Sequence, residues 1–302
     1  MTLEPMTAAA AGSWTLGDLT VNRLGFGAMR LTGGVPFGDD GQPSDRAQSI
    51  AVLRRAVELG VNHIDTAAFY FSARRSANEL INSALAPYPD GLVVVTKVGP
   101  GRDPSGRWID AARPDQLRGQ VEENLRQLGR DHLDVVNLRV QSRDSLGERF
   151  GTLAELRSAG LIRHLGVSGV SLAQLDEAQA IAPVVCVQNR YSLDSRDADG
   201  CGVLRACGER GIAFVPFFAI AGGRPTAAEQ RGADEVVQAV ALAHGASPAQ
   251  VRLAWTLHQG RHVLAIPGTG RLDHLAENVA AGALRLSPAD LSRLAAASQP
   301  GA

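Results

Sequence analysis

Three residues whose types could together move a proton lie at the ends of two neighbouring predicted strands. Asp65 ends an apolar run, Tyr70 follows in the next loop, and Lys97 ends the β-branched run Leu92–Lys97. An ionised carboxylate at a buried strand end is costly without a partner, and Lys97 is the candidate. A lysine charge near Tyr70 lowers the phenol pKa, so the phenol could serve as a general acid toward a carbonyl oxygen. The spacing fits a structural ion pair beside an ordinary loop tyrosine equally well.

Eight short apolar strands alternating with helices must position these side chains. The predicted strands are Asn22–Gly27, Val61–Asp65, Leu92–Lys97, Leu133–Val140, Ile162–Val167, Val184–Gln188, Ile212–Phe217 and Val263–Ile266. They lack two-residue alternation, which is typical of parallel strands covered on both faces. The pattern predicts an α/β fold of the (β/α)8 TIM barrel type, with working residues at the C-terminal strand ends. The alternative, a doubly wound open sheet, lacks its glycine fingerprint, because Gly25-x-Gly27 is followed by Arg30.

The segment before the barrel is expected to have two parts. Trp14–Val21 alternates around Gly17-Asp18, which predicts an N-terminal β-hairpin. Residues 1–13 are rich in alanine and have no basic region typical of a signal peptide, so they are expected to form a disordered leader. Residues 14–302 are then expected to form a single barrel domain, because no change in composition divides them.

Bulk composition excludes several classes of function. The chain has 302 residues and a formal net charge of -1, which gives no general attraction to nucleic acid or anionic lipid. No apolar run approaches the ~20 residues that a membrane helix needs. The three cysteines have no metal-ligand spacing, and their odd number argues against a disulfide framework. We therefore expect a cytoplasmic protein without a metal, monomeric or weakly homo-oligomeric, that acts on a small molecule.

Five segments, in order along nearly the whole chain, resemble the signatures of the aldo-keto reductase family. They are Gly60-Val-Asn-His-Ile-Asp-Thr-Ala-Ala-Phe-Tyr70, Val95-Thr-Lys97, Gly166-Val-Ser168-Gly169, Gln188-Asn-Arg-Tyr191, and Ile266-Pro-Gly-Thr269 with His274-Leu-Ala-Glu277-Asn278. The resemblance implies a (β/α)8 barrel that binds an extended nicotinamide cofactor, usually NADPH. It also implies hydride transfer between that cofactor and an aldehyde or ketone.

The resemblance assigns roles to individual residues. Tyr70 would donate the proton, and Asp65 and Lys97 would tune it. Ser168 and Gln188 would hold the carboxamide of the cofactor. Asp65 also counts among the cofactor contacts, together with Phe217, which would stack on the nicotinamide ring, and Gly27, Ala28 and Met29, which would lie near the middle of the cofactor.

The segment after the eighth strand would hold the other end of the cofactor. Gly268-Thr269-Gly270-Arg271 leads into a helix, whose free N–H groups suit a phosphate. Arg271 adds a forked cation of the kind that suits a ribose 2′-phosphate, which favours NADPH over NADH. Taken alone, the segment would be read as a capped helix with a solvated arginine. The predicted contacts here are Gly268, Thr269, Arg271, His274, Glu277 and Asn278, the last two facing adenine.

Arg139 departs from the family pattern. The family has a histidine at this place, counted eight residues after Asp131. We consider three hypotheses: Arg139 polarises the carbonyl, binds an anionic group of an acidic carbonyl substrate, or turns into a salt bridge with Asp65 or a loop acid. A second cation near Tyr70 would also favour the phenolate. Gly169 similarly stands where the family often has an asparagine.

The predicted function is NADPH-dependent reduction of an aldehyde or ketone, or the reverse reaction. The alternative is an NADP(H)-binding redox-sensing or regulatory protein whose turnover is low because Arg139 replaces the histidine. A barrel lyase or isomerase without nicotinamide is disfavoured by the five ordered segments. Substrate would be selected by loops of the active face, where Trp108, Phe37 and Phe69 could line an aromatic pocket and Arg74, Arg75, Arg102, Arg107 and Arg143 could attract anions.

Overall fold

A closed ring of eight parallel strands surrounded by helices forms the body of the molecule. The computed structural model describes residues 6–33, 45–72, 75–102, 108–109, 111–196, 202–220 and 227–297. The first seven barrel strands are β1 (Phe26–Gly27), β2 (His63–Asp65), β3 (Val93–Val98), β4 (Leu133–Arg139), β5 (Ile162–Ser168), β6 (Val184–Gln188) and β7 (Ala213–Phe214). They form one parallel sheet in that spatial order.

An eighth strand, β8 (residues 263–265), closes the sheet into a barrel. Two parallel bridges make the closure, one from Val263 to Phe214 of β7 and one from Ala265 to Leu24 just before β1. The backbone N–H of Ala265 donates to the carbonyl of Arg23 over 2.8 Å. Closure leaves the sheet without a free edge and brings all the C-terminal strand ends to one mouth. The (β/α)8 barrel predicted from the sequence is therefore confirmed.

Ten α-helices are found among the described residues. They are α1 (Arg46–Glu58), α2 (Ala77–Leu85), α3 (Pro114–Leu128), α4 (Gly147–Ser158), α5 (Leu172–Ile181), α6 (Val203–Glu209), α7 (Ala227–His244), α8 (Pro248–Leu257), α9 (Leu272–Ala280) and α10 (Pro288–Ala297). Side-chain caps start several of them, as when Ser171 and Ser247 accept from the backbone N–H of the residue three positions later. No helix of the described chain is long and apolar enough to cross a membrane.

The N-terminal hairpin covers the end of the barrel that lies opposite the mouth. Its strands, Ser13–Leu16 and Leu19–Asn22, turn at Gly17-Asp18 as predicted. Leu16 and Val21 are buried against barrel-lining residues such as Val95 and Val135. The hairpin thus covers one end of the barrel interior with apolar side chains, and the polar mouth lies at the other end.

The expected disordered leader differs from the structure at Ala8–Ala11, which form a short 3-10 helix. Ala8 is fully buried, and its backbone N–H donates to the carbonyl of Leu59 over 2.8 Å. The guanidinium of Arg285 donates to the carbonyl of Ala10 over 2.7 Å. Alanine is small enough to approach the barrel closely, so this segment docks where composition alone suggested disorder. Residues 1–5 lie outside the described part of the chain.

Candidate active site

A buried ion pair between neighbouring strands anchors the mouth of the barrel. Lys97 Nζ lies 2.5 Å from Asp65 Oδ1 and donates a second hydrogen bond, of 3.0 Å, to the carbonyl of Thr66. Both side chains are almost completely buried. Burial opposes the lysine charge, but Asp65 and Tyr70 together outweigh burial and raise the pKa of Lys97 above its ordinary value. Lys97 therefore stays charged inside the protein.

A network of buried amides and hydroxyls fixes the backbone behind this pair. Thr66 Oγ1 donates to Asn78 Oδ1 over 2.8 Å, and Asn78 Nδ2 donates to Asn124 Oδ1 over 2.9 Å. Thr96 Oγ1 donates to the same Asn124 oxygen over 2.6 Å. The network ties β2 and β3 to helices α2 and α3, so the strand ends that carry Asp65 and Lys97 are held in register. Sequence reasoning missed these residues, although each is a polar residue beside an apolar run.

Tyr70 lies next to Lys97, as the sequence predicted. Lys97 Nζ is 4.9 Å from the centre of the Tyr70 ring, and the phenol is buried. Burial raises the pKa of Tyr70, whereas the charge of Lys97 lowers it and that of Asp65 raises it. The lowering by Lys97 that the sequence predicted is present, but burial outweighs it, so the net direction of the Tyr70 pKa is upward. Tyr70 therefore keeps its proton at neutral pH, as a proton donor must.

Residues predicted to hold a carboxamide lie on β5 and β6, opposite the ion pair. Ser168 and Gln188 are paired in register, and Arg139 of β4 pairs with Ser168 on the other side. Gln188 Nε2 reaches across the mouth and donates to Asp65 Oδ2 over 2.5 Å. Gln188 Oε1 is buried and has no hydrogen-bond partner. The site thus presents an unused buried acceptor beside the Ser168 hydroxyl, which a primary amide could satisfy.

The Arg139 guanidinium lies on the β5–β7 side of the mouth. Nη1 donates to Ser168 Oγ over 3.2 Å, and Cζ lies 4.9 Å from the centre of the Phe217 ring. Arg139 forms no ion pair with a carboxylate of the described chain, which excludes the hypothesised salt bridge to Asp65. Burial lowers the pKa of Arg139; Tyr70 acts to raise it, and the charge of Arg190 acts in the same direction as burial.

Gly169 leaves the space that Arg139 occupies. A Cβ at this position would lie 2.9 Å from Arg139 Nη1 and 2.4 Å from the carbonyl oxygen of Val140, and its φ of +77° disfavours other residues. Asn189 fixes this turn, because its Oδ1 accepts from the N–H of Gly169 over 2.9 Å and of Val170 over 3.1 Å. The two departures from the family pattern, at 139 and 169, are therefore structurally linked.

The first and eighth strands approach each other through glycines. A Cβ on Gly27 would lie 2.6 Å from the carbonyl oxygen of Ile266, and one on Gly268 would lie 2.3 Å from the carbonyl oxygen of Gly27. Ala28 is buried and Met29 is half-buried at the start of the 3-10 helix Ala28–Thr32. The first loop and the loop after β8 therefore form one continuous rim, as a cofactor contacting both would require.

The predicted phosphate-binding end is open to solvent. Thr269 is buried, and its hydroxyl accepts from the backbone N–H of Arg271 over 3.1 Å. Arg271 is exposed, and both arms of its fork contact Asp273, at 3.0 and 2.5 Å. Sequence reasoning missed Asp273. Of the other predicted contacts, Asn278 is buried, whereas His274 and Glu277 are exposed along α9.

Two cavities flank the centre of the mouth. One of 760 Å³ adjoins Lys97 and is lined on its apolar side by Phe69, Phe71 and Ile109. Phe69 also contacts Trp108 edge to face, with ring centres 5.8 Å apart, so the expected aromatic wall is present in part. The other cavity, of 350 Å³, adjoins Arg139 and Phe217. Phe37, Arg74 and Arg107 lie outside the described residues.

No group of three or more potential metal ligands occurs in the part of the chain that the structure describes. Cys186 and Cys207 are both free and buried, and burial raises the pKa of each thiol to about 12. Neither is a nucleophile at neutral pH. The ionisable side chains that the structure brings to the centre of the mouth include Asp65, Tyr70, Lys97 and Arg139.

Comparison with known proteins identifies the family. Residues 23–299 match the Aldo/keto reductase family. A pyridoxine 4-dehydrogenase from Escherichia coli is 44% identical over 292 residues, which cover 94% of this chain and 98% of the relative. A solved aldo/keto reductase from Klebsiella pneumoniae in complex with NADPH is 25% identical, with a TM-score of 0.72 over 91% of this chain and 90% of the other. A thermostable aldo-keto reductase bound to the inhibitor epalrestat is 29% identical, with a TM-score of 0.77 over 93% and 97% of the two chains. The chain therefore belongs to the aldo/keto reductase family and is an oxidoreductase.

Proposed function

We propose that this protein interconverts an aldehyde or ketone and its alcohol with NADP(H), with Tyr70 as the proton donor. The observation that carries the proposal is the buried Tyr70 phenol beside Lys97, whose charge is matched by Asp65 at 2.5 Å. Because Asp65 balances its charge, Lys97 can stay protonated while buried beside Tyr70, where its charge can stabilise the phenolate as it forms. Family membership supplies the reaction type.

The chain's own residues would handle the proton. Bound NADPH would supply a hydride to the carbonyl carbon. Tyr70 would give its phenol proton to the carbonyl oxygen, producing the alcohol. Lys97 would stabilise the phenolate that remains until solvent returns a proton. Asp65 would hold Lys97 in place, and the hydrogen bond from Gln188 would hold Asp65.

The residues at the mouth fit a nicotinamide. The unpaired buried Oε1 of Gln188 lacks a donor, which the carboxamide of the cofactor would supply. Ser168, which is paired in register with Gln188, provides a hydroxyl at the same level of the barrel, and Phe217 provides an aromatic face. Gly27, Ala28, Met29 and Gly268 would border the middle of the cofactor, since they form the rim between β1 and β8.

We propose NADPH rather than NADH because of the far end of that rim. Arg271, at the start of α9, would contact the 2′-phosphate, with Thr269 and His274 nearby and Glu277 and Asn278 toward adenine. Asp273 already orients the guanidinium of Arg271. When NADPH binds, this guanidinium would either leave Asp273 for the phosphate or contact both. The Klebsiella pneumoniae relative bound to NADPH supports the same choice.

Pyridoxine and its aldehyde, pyridoxal, are the first substrates to test. The Escherichia coli relative that shares 44% of its residues is a pyridoxine 4-dehydrogenase. The aromatic side chains of Phe69 and Trp108, in contact beside Tyr70, suit an aromatic ring. We therefore propose an aromatic aldehyde as the substrate.

The test is a steady-state screen of the purified protein with NADPH and NADH against pyridoxal, benzaldehyde and aliphatic carbonyl compounds. Nucleotide binding is followed separately by quenching of tryptophan fluorescence. The proposal expects oxidation of NADPH that depends on the carbonyl compound, with weaker activity from NADH. Absence of NADPH binding would contradict it.

A regulatory protein that binds NADP(H) and turns over slowly is the second candidate. Arg139 contacts both Ser168 and Phe217, so two predicted nicotinamide contacts are engaged by the chain itself. Exchange of Arg139 for the cofactor would slow binding or release. Tight NADPH binding without turnover of any carbonyl compound would replace the enzymatic proposal with this one. A cytoplasmic location and a monomeric or weakly oligomeric state stay predictions.

A further inference from the structure

The cavity of 350 Å³ beside the active site is cationic. Arg139, Arg143 and Arg190 line it, together with uncharged residues that include Gly169, Asn189 and Phe217. None of the described residues lining it is acidic. A cavity lined by one sign of charge, with low-dielectric walls, concentrates ions of the opposite sign. Its open side leads to solvent through the exposed loop that carries Arg143.

Arg139 has a charge that nothing in its described surroundings neutralises. Its contacts are a hydroxyl, at 3.2 Å, and an aromatic ring, at 4.9 Å. Of the two groups that act on it electrostatically, Tyr70 is an uncharged phenol at neutral pH and Arg190 is another cation. A largely buried cation is stabilised much more by an anion than by a hydroxyl, so this arrangement favours an anionic ligand.

The space for such a ligand is built into the backbone. Gly169 has no side chain, and a Cβ there would press on the guanidinium at 2.9 Å. Asn189 holds this turn because its Oδ1 accepts from the N–H groups of Gly169 and Val170, and its Nδ2 donates to the carbonyl of Val170 over 2.8 Å. The turn therefore places no side chain against the guanidinium of Arg139 on the Gly169 side, while the ring of Phe217 packs on it.

We propose that this cavity binds an anionic oxygen that the substrate carries next to its carbonyl group, with Arg139 as the principal donor. Two classes of compound have this chemistry: 2-oxo carboxylates, and aldehydes on an aromatic ring whose neighbouring carbon bears an ionised hydroxyl. The proposal rests on the proposed carbonyl oxidoreductase function and adds to it the charge and position of a second recognition group.

Matched pairs of substrates test the proposal kinetically. Phenylglyoxylate is compared with its methyl ester, and pyridoxal with its 3-O-methyl ether, at constant NADPH. A charge-assisted contact predicts a kcat/KM about 10- to 100-fold higher for the anionic member of at least one pair. The two pairs distinguish the carboxylate from the phenolate. Equal or lower kcat/KM for both anionic members would overturn the proposal.

Variants locate the effect. Arg139→Met should abolish the preference for the anion, so that kcat/KM falls about 10- to 100-fold more for the anionic member of a pair than for the neutral member. Arg205→Met, on the outer helix α6 and paired with Glu209 at 3.2 Å, is the matched control for loss of an arginine charge. Equal losses for both members of a pair would show a role at the carbonyl instead and would overturn the proposal.

Equilibrium binding separates this inference from the proposed function. Benzoate and benzamide, which cannot react, are titrated into the protein saturated with NADP+. Wild type should bind benzoate at least about 10-fold more tightly, and Arg139→Met should remove the difference. If benzoate has no advantage, the anion site is wrong even in an active enzyme. If Arg139→Met weakens NADPH binding and leaves benzoate unaffected, Arg139 serves the cofactor and the proposal falls. An advantage for benzoate without turnover of any carbonyl compound would refute only the enzymatic function.

Discussion

Two cations lie on opposite sides of the barrel mouth, and the protein treats them differently. Lys97 is matched by the carboxylate of Asp65, which a second donor, Gln188, holds from across the barrel. Arg139 has a hydroxyl and an aromatic ring instead. The lysine side is complete within the protein, whereas the arginine side has hydrogen-bonding capacity left for a ligand. The difference suggests that proton transfer is set up on the lysine side and recognition on the arginine side.

His63 shows what burial does to an ionisable group that can give up its charge. It lies two residues before Asp65 on β2, fully buried, and neither ring nitrogen has a hydrogen-bond partner. Burial lowers the pKa of His63 to about 4, so the ring is neutral. Arginine cannot respond in this way, because its pKa is too high to reach neutrality at physiological pH. The charge of Arg139 is therefore permanent and available to a ligand.

The largest effect on activity and stability is expected from breaking the ion pair between Lys97 and Asp65. Lys97→Met leaves the buried Asp65 carboxylate without its cation and raises the pKa of Tyr70 further, because the lysine charge that lowers it is gone. We expect kcat to fall about 100- to 10,000-fold and the free energy of unfolding to fall by about 3–5 kcal/mol. Urea unfolding and steady-state kinetics measure both. Arg126→Met, which removes an exposed pair with Glu123, is the control and should change neither.

The second-largest effect is expected on the free energy of unfolding at mildly acid pH, and it concerns His63. Its pKa is lowered in the folded state, so the unfolded chain takes up the proton first as the pH falls below the ordinary value of 6.5. We expect His63 to cost about 2 kcal/mol of unfolding free energy between neutral pH and about pH 5. His63→Gln should flatten this part of the pH dependence relative to wild type. Identical slopes in the two proteins would show that His63 does not titrate as its burial requires.

A smaller effect is expected at a third cation, Arg271, which differs from the other two in being exposed and paired with Asp273. Arg271→Met should raise the Kd of NADPH about 10-fold and leave that of NADH unchanged, because only NADPH has the 2′-phosphate. Asp273→Asn, which frees the fork, should bind NADPH no more weakly than wild type. A parallel loss of affinity for both nucleotides would place Arg271 elsewhere on the cofactor.

The smallest effect is expected at the turn beside Arg139. Gly169→Ala adds a methyl group against Nη1 and the carbonyl of Val140, so it should displace the guanidinium and lower kcat/KM for an anionic substrate about fivefold. In an Arg139→His background, the shorter side chain leaves room, and the same change should cost less. Additive losses in the double variant would show that the two positions are independent.

The sequence predicted the lysine side of the mouth, formed by Asp65, Tyr70 and Lys97, better than the surroundings of Arg139. Strand ends in a parallel barrel meet at one rim, so Asp65, Tyr70 and Lys97 could be placed together from spacing alone. The sequence predicted that Lys97 lowers the pKa of Tyr70, but the net direction is upward because burial outweighs this effect, and burial is not visible in the sequence. The contacts of Arg139 depend on packing between loops of three different strands, including the turn held by Asn189.

Elsewhere, the alternation of apolar strands and helices was enough to predict the barrel, and the pattern of Trp14–Val21 predicted the hairpin but not that it covers one end of the barrel. Ala8–Ala11 was read as disordered because alanine-rich composition does not reveal docking onto the carbonyl of Leu59. The partner of Arg271 was missed because an acid two residues later could equally face solvent. Local sequence patterns were therefore enough to predict the helices and strands, whereas contacts between distant loops became visible only in the structure.

The most direct test of the central claim is the paired measurement of NADPH binding and carbonyl reduction in wild type and Tyr70→Phe. Phenylalanine keeps the ring and removes only the proton that Tyr70 is proposed to give. We predict that both proteins bind NADPH with the same affinity and that kcat falls about 100- to 10,000-fold in the variant. A variant that reduces the carbonyl compound at the wild-type rate would contradict the assignment of Tyr70 and, with it, the proposed site.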